Sequence, residues 1–500
     1  MNRLRLLGCL TGALSVSALG MAQGTPAPAL AAGPPLLLSD AIRLALDNNP
    51  DIKVQNFGPA IARANWVAAL GQFDPAINFN RSASSSYGYP STPEPLPPLL
   101  ANTDNYSLNL GGTLPTGLNY SIGGTAENQH GLFNGFTGDY ATFAGINLTQ
   151  PLLRGFGLGA NLVNVRIARA NRTISEWQFR QTMINTVTNV VDTYSNLVLA
   201  HDELGIAQRS HDLAALLLTQ SQQRLKAGQG AQSDVTAARA RVAENDESIL
   251  LEANAVRSIE NQLRELIGET SFPPDRPLYI VYPPIPPEVT VDPANDYEKA
   301  LNNRPDYQAA RLGIVIDRAS DSAARNGLLP KVNLFWSHGY NGLANTLTAS
   351  RRMLETEDFP SSSIGVNVSI PITNATARGT ARAARLTLEQ AQASLREMEA
   401  NIAVNVANAA SQIETARQRV LADQNADDLA NQALKDEMNK FNDGVGGSTV
   451  NSVIQQQQFL IAADNSLASS KAAKIQAVAN YDQALGTTLS RYNIVLAGPK

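Results

Sequence analysis

Histidine and acidic residues come together twice near the middle of the chain, and such side chains can bind a transition metal. One group is His201, Asp202 and Glu203, and the other is His211 with Asp212. On a helix, residues ten positions apart differ by about 80° in direction, so the two imidazoles do not converge on one ion. We therefore predict no metal site, with His201 exposed and His211 in a helix seam.

Three glycines at positions 155, 157 and 159 could indicate a phosphate-binding loop. They lack the dinucleotide-binding spacing and follow no parallel strand, so they are better explained as a turn into a long helix. No serine, cysteine or pair of carboxylates lies in a recognisable nucleophile or acid–base pattern. The sequence therefore predicts no enzyme and no cofactor.

The composition is typical of an ordered protein with one to three domains, since 43% of the 500 residues are hydrophobic and 17% are charged. The 39 basic and 44 acidic residues are spread along the chain, which gives a net charge of −5. No basic stripe is present that would neutralise phosphates, so we predict no nucleic-acid partner.

The N-terminus has the pattern of a secretory signal peptide. Arg3 and Arg5 precede an apolar run that ends at Ala22, and we predict cleavage there, with Ala31 as the alternative. The only cysteine, Cys9, lies in this run, where the apolar segment before it is short for a lipoprotein signal. Cleavage after Ala22 would leave a mature chain without disulfides.

No later stretch approaches the roughly 20 apolar residues of a spanning helix, so a membrane role would require strands closed into a barrel. Strands are predicted at about 75–150 and about 330–372, because apolar and polar residues alternate there. Ile77 and Phe79, for example, flank Asn78. One face would meet lipid and the other a lumen. A soluble sandwich is the alternative that composition alone favours.

The chain contains an internal duplication. A shift of about 255 positions gives roughly 13 identities in 34 positions, where chance would give about two. We predict a first repeat at 36–268, a proline-rich linker at 269–292 and a second repeat at 293–490.

Each repeat is predicted to contain a helix of moderate length, strands, one very long helix, a glycine turn and another moderate helix. The tip turns are placed at 227–234 and 442–450. The predicted helices are Leu38–Gln72, Gly159–Ala227, Asp234–Ile267, Asp296–Asn326, Ala375–Phe441 and Ser448–Leu485. Each long helix would measure about 100 Å, flanked by two shorter helices stacked end to end, which is the geometry of a tube wall.

Apolar residues recur every seven positions along these helices, which predicts coiled-coil seams. The three series are Val235, Val242, Ile249, Val256 and Leu263; Leu388, Leu395, Ile402, Ala409 and Ala416; and Val190, Leu197, Leu204, His211, Leu218 and Leu225.

Several local motifs resemble the TolC-like outer membrane efflux protein family, from about Leu38 to Leu489. They are the helix starts Leu46–Asp51 and Leu301–Asp306, the strand exit Leu148–Gly155, the tip Gln223–Val235, and the helix ends Leu266–Gly268 and Ala484–Gly486. None is decisive alone, but their order and spacing are specific.

The resemblance implies an α+β membrane protein: a trimeric outer-membrane β-barrel with four strands per protomer, continued by a coiled-coil α-helical barrel in the periplasm of a Gram-negative bacterium. It also implies a passive exit duct of a tripartite efflux pump or type I secretion system. The partners would be an inner-membrane transporter of RND or ABC type and a periplasmic adaptor (membrane fusion) protein that meets the tips at 227–235 and 442–451. The alternative is a periplasmic coiled-coil scaffold without a pore, and the cargo stays open.

One departure from the family pattern lies between the first strands. Two further segments alternate in polarity and are joined by a turn at Pro115, Thr116 and Gly117. We favour an extracellular hairpin over two additional barrel strands, with Pro90–Pro98 as a surface loop. The alternating residues are Tyr106, Leu108 and Leu110, then Leu118, Tyr120 and Ile122.

The tips are the predicted site of gating and adaptor docking. Asp234 and Val235 follow the first tip, and Asp234 is interpreted as a helix N-cap in preference to a pore-lining residue. The family's acidic ring after the second tip is replaced by the uncharged segment 449–454. We therefore predict a gate held by helix packing and neutral hydrogen bonds around Asn451. The turn glycines are Gly228, Gly230, Gly444, Gly446 and Gly447.

Overall fold

The computed structural model describes residues 35–88, 99–131, 139–269, 277–284, 286, 288–443 and 447–495. The predicted signal peptide, Cys9 and the Pro90–Pro98 loop lie outside these residues.

In chain order the helices and strands are α1 (Leu38–Asn48), α2 (Pro50–Gln55), α3 (Phe57–Leu70), β1 (Ala76–Gly88), β2 (Leu99–Thr113), β3 (Asn119–Gly131), β4 (Asp139–Pro151), α4 (Gly157–Asn161), α5 (Val163–Lys226), α6 (Gln232–Leu266), α7 (Pro293–Asn303), α8 (Pro305–Asn326), β5 (Lys331–Ala344), α9 (Leu347–Glu355), β6 (Pro360–Ser369), α10 (Ala375–Asp443), α11 (Val450–Leu485) and α12 (Thr488–Arg491).

Two helices, α5 with 64 residues and α10 with 69, run the length of the helical part. At 1.5 Å per residue they are about 96 and 104 Å long. Helix α5 packs against α6 at one end and α3 at the other, while α10 packs against α11 and α8 in the same way. The predicted long helices are therefore confirmed. Among the described helices, none has the length and apolar character needed to cross a membrane.

The shorter helices facing the sheet end are divided, where the sequence predicted single helices. One division in each half falls immediately before a proline, Pro50 or Pro305, because the residue before proline leaves the helical region and proline then begins a new helix. The first half has a further division at Asn56, between α2 and α3. Asn49 caps the second segment, since its Oδ1 accepts from the amides of Asp51 and Ile52 at 2.9 and 3.2 Å.

The same kind of junction stacks the short helices in both halves of the chain. Gly268 ends α6 with φ +71°, and a Cβ there would lie 2.5 Å from the carbonyl oxygen of Asn48. Gly486 ends α11 with φ +70°, and a Cβ there would lie 2.8 Å from the carbonyl carbon of Asn303. Only glycine fits this conformation and this close approach.

Hydrogen bonds complete these junctions. Asn49 Nδ2 donates to the carbonyl of Leu266 at 2.9 Å, and Arg304 Nη1 donates to the carbonyl of Ala484 at 3.4 Å. Carbonyls at a helix C-terminus have no partner within the helix, so these side chains supply one. The short helices are thereby held end to end along α5 and α10.

Part of the proline-rich linker forms a strap across the middle of α5. Leu36 pairs with Ile280 in an isolated parallel bridge. The hydroxyl of Tyr194, a fully buried residue of α5, lies 2.8 Å from the carbonyl oxygen of Leu36 and 2.5 Å from that of Val281. It also accepts from the Val281 amide at 3.1 Å. The strap is thus fixed to the hydrophobic cluster that includes Tyr194, Leu197 and Leu263.

The six strands form one antiparallel sheet in the order β1-β2-β3-β4-β5-β6. The expected four strands per protomer are therefore wrong for this chain. The favoured hairpin is wrong as well, because β2 and β3 lie in the sheet between β1 and β4. Each strand has 10 to 15 residues, enough to cross a bilayer, which takes about 9–11 tilted residues.

The turn between β2 and β3 explains the difference. The amide of Gly157, at the start of α4, donates to the carbonyl of Thr116 at 2.9 Å. A Cβ on Gly117, whose φ is +92°, would lie 2.4 Å from the carbonyl oxygen of Gly155. The turn is therefore clamped to the end of the sheet that joins the helices. An extracellular hairpin would have its turn at the opposite end.

The heptad seams are confirmed in part. Val235, Val256 and Leu263 are buried on α6, while Val242 and Ile249 are half-buried. On α10, the buried members are Ile402, Ala409 and Ala416.

The seam between α5 and α6 also contains a polar pair that the heptads did not predict. Asn245 is buried, its Oδ1 accepts from the Ser210 hydroxyl at 3.1 Å, and its Nδ2 donates to the Ser210 carbonyl at 3.2 Å. Such a polar pair in a coiled coil fixes the register of the two helices.

Candidate channel wall and helical tips

In its half nearer the helices, one face of the sheet is apolar across all six strands. Ile77 lies opposite Leu110, Leu110 opposite Ile122, and Ile122 opposite Ile146. On the other side of β4, Leu148 lies opposite Trp336, which lies opposite Ile364. Exposed members of this face include Ile77, Phe79, Leu108, Leu110, Ile122, Trp336, Ile364, Val366 and Val368. An exposed apolar face of this extent is suited to lipid.

The opposite face is polar or small, as predicted for a lumen. One row across it consists of Asn78, Asn109, Gly123, Gly145, Gly339 and Ser361. Phe143, Phe335 and Leu343 are exceptions on this face, and both phenylalanine rings lie over glycine. The Phe143 ring comes within 2.7 Å of the Cβ position of both Gly145 and Gly339. A ring of this kind covers strand backbone that glycine leaves bare.

The first tip joins α5 to α6. Gly228 has φ +71°, as expected for a turn glycine, and Gly230 follows it. Asp234 is the third residue of α6, so the predicted N-cap position is wrong, and Ala231 occupies it. The Asp234 carboxylate still serves the helix start, because it accepts from the Ala231 amide at 3.3 Å. Val235 is 4% exposed, so within one copy it packs inside the tip.

The second tip joins α10 to α11. Gly447 has φ +69°, and Gly444 and Gly446 lie outside the described residues. Thr449 caps α11, since its hydroxyl accepts from the Ser452 amide at 3.2 Å while Ser452 Oγ accepts from the Thr449 amide at 3.0 Å. Asn451 is exposed beside this cap.

A carboxylate that the sequence did not single out holds the second tip. Glu437 accepts from Ser448 Oγ at 2.7 Å and from Ser452 Oγ at 2.5 Å. These two hydroxyls hold the pKa of Glu437 below its ordinary value, so the group is charged. The tip is therefore held by charge-assisted hydrogen bonds as well as neutral ones. Glu437 lies eleven residues before Ser448, within the preceding helix, so no local motif indicates the contact.

An arginine connects the two tips. Arg224 lies in the last turn of α5, and its Nη1 donates to the carbonyl of Phe441 in α10 at 2.5 Å. Its guanidinium also lies 4.4 Å from the centre of the Phe441 ring. The four helices meet there in an apolar cluster of Leu217, Ala238, Leu434, Phe441, Val450, Val453 and Leu460. Arg224 thus joins the end of one helix pair to the end of the other.

Two carboxylates face each other between α10 and α11. Burial is the largest cause that raises the pKa of Asp427 from 3.8 to about 6, followed by a hydrogen bond to Asp464 and its charge. Asp464 lies 3.5 Å from Arg209 of α5. Asp428 adds to the rise, and Lys471 opposes it. Asp427 is therefore partly protonated near neutral pH.

The histidines singled out in the sequence lie apart from these groups. His201 is half-buried, not exposed as predicted. His211 is also half-buried, with Nδ1 3.3 Å from Asp212 and Nε2 3.4 Å from Asp246. In the parts of the chain that the structure covers, no three histidine, cysteine, aspartate or glutamate residues form a possible metal site.

Comparison with known proteins agrees with this architecture. The sequence profile described as outer membrane efflux protein (OEP) matches residues 41–269 and 297–487. The structure is similar to the outer-membrane channel OprN, with a TM-score of 0.69, 18% identity, and 90% and 89% of the two chains covered. It is also similar to the CmeC outer membrane channel of Campylobacter jejuni, with a TM-score of 0.68, 15% identity, and 90% and 86% covered.

A third similar structure is the outer membrane protein VceC of Vibrio cholerae, with a TM-score of 0.66, 17% identity, and 90% and 96% of the chains covered. No curated protein sequence is significantly similar to this chain. Because the family profile matches most of the sequence, the chain belongs to the outer membrane efflux protein family. It is an outer-membrane exit duct, in a family of channels.

Replacement of Arg224 by methionine should loosen the tips. A hydrogen bond to a charged group contributes about 1.5–3 kcal/mol, so its loss should increase the population with separated tips about tenfold or more. Lysyl endopeptidase can report this population, since Lys226 and Lys440 lie at the tips and the enzyme does not cut at arginine. We expect about tenfold faster cleavage there. The matched control is Arg239→Met, because Arg239 is exposed on α6. Equal cleavage rates in the two variants would contradict the role of Arg224.

Replacement of Asp427 by asparagine should stabilise the protein in a pH-dependent way. Because the folded-state pKa of Asp427 is raised from 3.8 to about 6, folding takes up a proton in this window, and wild-type stability falls as pH rises through it. Asp427→Asn should therefore raise the melting temperature most above pH 6 and progressively less towards pH 4. Asp436→Asn, at an exposed position of the same helix, is the control. If Asp427→Asn raises the melting temperature equally at pH 4 and above pH 6, the charge on Asp427 is not the cause of the stabilisation.

Proposed function

We propose that the protein is a homotrimeric exit duct of a tripartite efflux pump or type I secretion system, through which substrates pass passively from the periplasmic side to the exterior. The observation that carries this proposal is the sheet with one continuous apolar face, joined directly to helices about 96–104 Å long. A membrane-spanning wall and a helical tunnel wall are thereby parts of one chain.

The unpaired sheet edges support a trimer. Among the described strands, β1 pairs only with β2 and β6 pairs only with β5, so each outer edge presents free backbone N–H and C=O groups. Such edges are not tolerated in lipid, and further copies of the chain would pair them. Four helices lie side by side at each level, so three copies would supply the twelve that the family resemblance implies.

The tips support docking by a periplasmic adaptor. Residues 227–229 and 447 form exposed turns at the end of the helices remote from the sheet. The adaptor would bind these turns and connect the duct to an inner-membrane transporter of RND or ABC type, which would supply the energy. The duct itself has no catalytic role in this proposal.

We also propose that the chain consists of two structural repeats, 36–268 and 293–490, joined by the linker 269–292. The similar junctions at Gly268 and Gly486 support this division. Each repeat would then contribute one long helix and one two-part stack to the tunnel wall.

Membrane extraction and mass in detergent test the proposed function. We expect the protein to stay in the outer-membrane fraction after washes with salt and alkali. After detergent extraction, light scattering should give three times the mass of the mature chain, which is smaller than the 53.4 kDa full-length chain by the predicted signal peptide. A periplasmic scaffold would be released by the washes. A monomer in mild detergent would contradict the trimer.

Charge changes at the tips test how the gate is held. Asn451→Asp should increase cation selectivity in planar-bilayer recordings and introduce block by divalent cations, because the exposed position would gain a carboxylate in each copy. Asp234→Asn should change selectivity little but destabilise the first tip, since it removes a charged partner of the Ala231 amide. If Asp234→Asn abolishes cation selectivity while trimer stability is unchanged, Asp234 lines the pore.

A further inference from the structure

The two strands added to the sheet are integral to the membrane wall. Their apolar residues continue the same face, since Leu110 lies opposite both Ile77 of β1 and Ile122 of β3. Their turn is clamped to the strand–helix junction through Thr116. The sheet of each copy is therefore half as wide again as one with four strands.

We infer that three copies close an eighteen-stranded barrel, in which β6 of each copy pairs with β1 of the next. This inference rests on the homotrimer proposed above. In this arrangement the free edges of β1 and β6 both pair with neighbouring copies of the chain. The barrel then forms an exit as wide as the helical tunnel.

The registers within one copy are consistent with closure. Ala76 is the first residue of β1. If each residue is followed to its partner on the next strand, the row that starts at Ala76 reaches Ser363 on β6. Ser363 lies six residues before Ser369, the last residue of β6. If the strands of all copies start level at the helical end, Ala76 of the next copy lies beside Ser369.

This stagger gives a normal strand tilt. Each copy shifts the register by six residues, each with a rise of about 3.3 Å, over six strands that lie about 4.8 Å apart. The ratio of these two lengths gives a strand tilt of about 35° from the barrel axis, at the lower end of the usual range. The same register also preserves the two faces. Ile77 would lie opposite Val368 and Phe79 opposite Val366, so the apolar face continues across the boundary between copies.

The width of this barrel matches the helical part. Eighteen strands at this tilt form a ring roughly 34 Å across between opposite backbones, against roughly 23 Å for twelve strands. Twelve helices with axes about 8–10 Å apart form a ring roughly 31–38 Å across. An eighteen-stranded barrel therefore continues the tunnel without narrowing, whereas twelve strands at this tilt would narrow it. The cargo is then limited in size at the tips and not at the membrane.

The glycine row and α9 are consistent with an open lumen. Gly123, Gly145 and Gly339 lie on the inward face, and the Phe143 ring covers the last two of them. Helix α9 packs on the opposite face, because the Ser350 hydroxyl lies 2.7 Å from that of Thr142, which shares a face with Ile146 and Leu148. Helix α9 is therefore outside the lumen.

Electron cryo-microscopy of the wild-type trimer in lipid nanodiscs tests the inference without a variant. We expect eighteen strands in sections through the membrane and a backbone ring roughly 34 Å across. A trimer with twelve strands, or with β2 and β3 outside the ring, would overturn the inference and leave the exit duct intact. A protein that forms no membrane-embedded trimer would overturn both.

Cysteine pairs test the contact between copies. Asn78→Cys combined with Asn367→Cys should form a disulfide between β1 and β6 of neighbouring copies and give a covalent trimer with threefold mass on non-reducing gels. The pair Asn80→Cys with Asn367→Cys should form the disulfide instead if the register between the two copies is shifted by two residues. The control pair is Asn333→Cys with Asn367→Cys, which lie opposite each other in one copy. If the control forms its disulfide and neither test pair links the copies, β6 does not pair with β1.

Discussion

Backbone hydrogen bonds in lipid are the constraint on which this structure depends. A strand edge exposed to hydrocarbon leaves amides and carbonyls without partners, at a cost of several kcal/mol for each group. Among the described strands, one copy has two such edges, on β1 and β6, and no other strand covers them. The described sheet of one copy thus leaves its edges unpaired, whereas the helices have packed cores within one chain.

The junction between sheet and helices links the positions of the strands to the positions of the tunnel helices. Gly155 and Gly157 have φ of +83° and +84°, which lets β4 turn directly into α4 and α5. Asn326, at the end of α8, accepts from the Gly155 amide at 2.8 Å, so both halves of the chain meet at this turn. The spacing of the helices and the spacing of the strands are therefore coupled at this junction.

The sequence predicted the long helices, the strand regions and the tip turns because each has a periodic or local signal. Heptads identified the seams, polarity alternation identified the strands, and positive-φ glycines such as Gly228 and Gly447 marked the turns. The strand count was wrong for a physical reason. Alternation shows that β2 and β3 are strands, but only the contact of Thr116 with the strand–helix junction shows which end their turn occupies.

The site residues were predicted less well, since their partners are distant in the sequence. Arg224 and Phe441 are 217 residues apart, and Asp427 is coupled to Asp464 across two helices. No local pattern brings such residues together. For Asp234 the sequence correctly predicted a role at the start of α6 but placed the residue at the N-cap, whereas it is the third residue of the helix. Helix starts are uncertain by a residue or two when read from sequence.

The pair formed by Asn245 and Ser210 limits the ways in which the tunnel wall can deform. If α6 slid along α5 by one turn, both polar groups would be buried against apolar neighbours without partners. Swinging of the helix ends about this point leaves the pair intact. Sliding along the helix axis is thus penalised, while lateral bending about this contact is permitted.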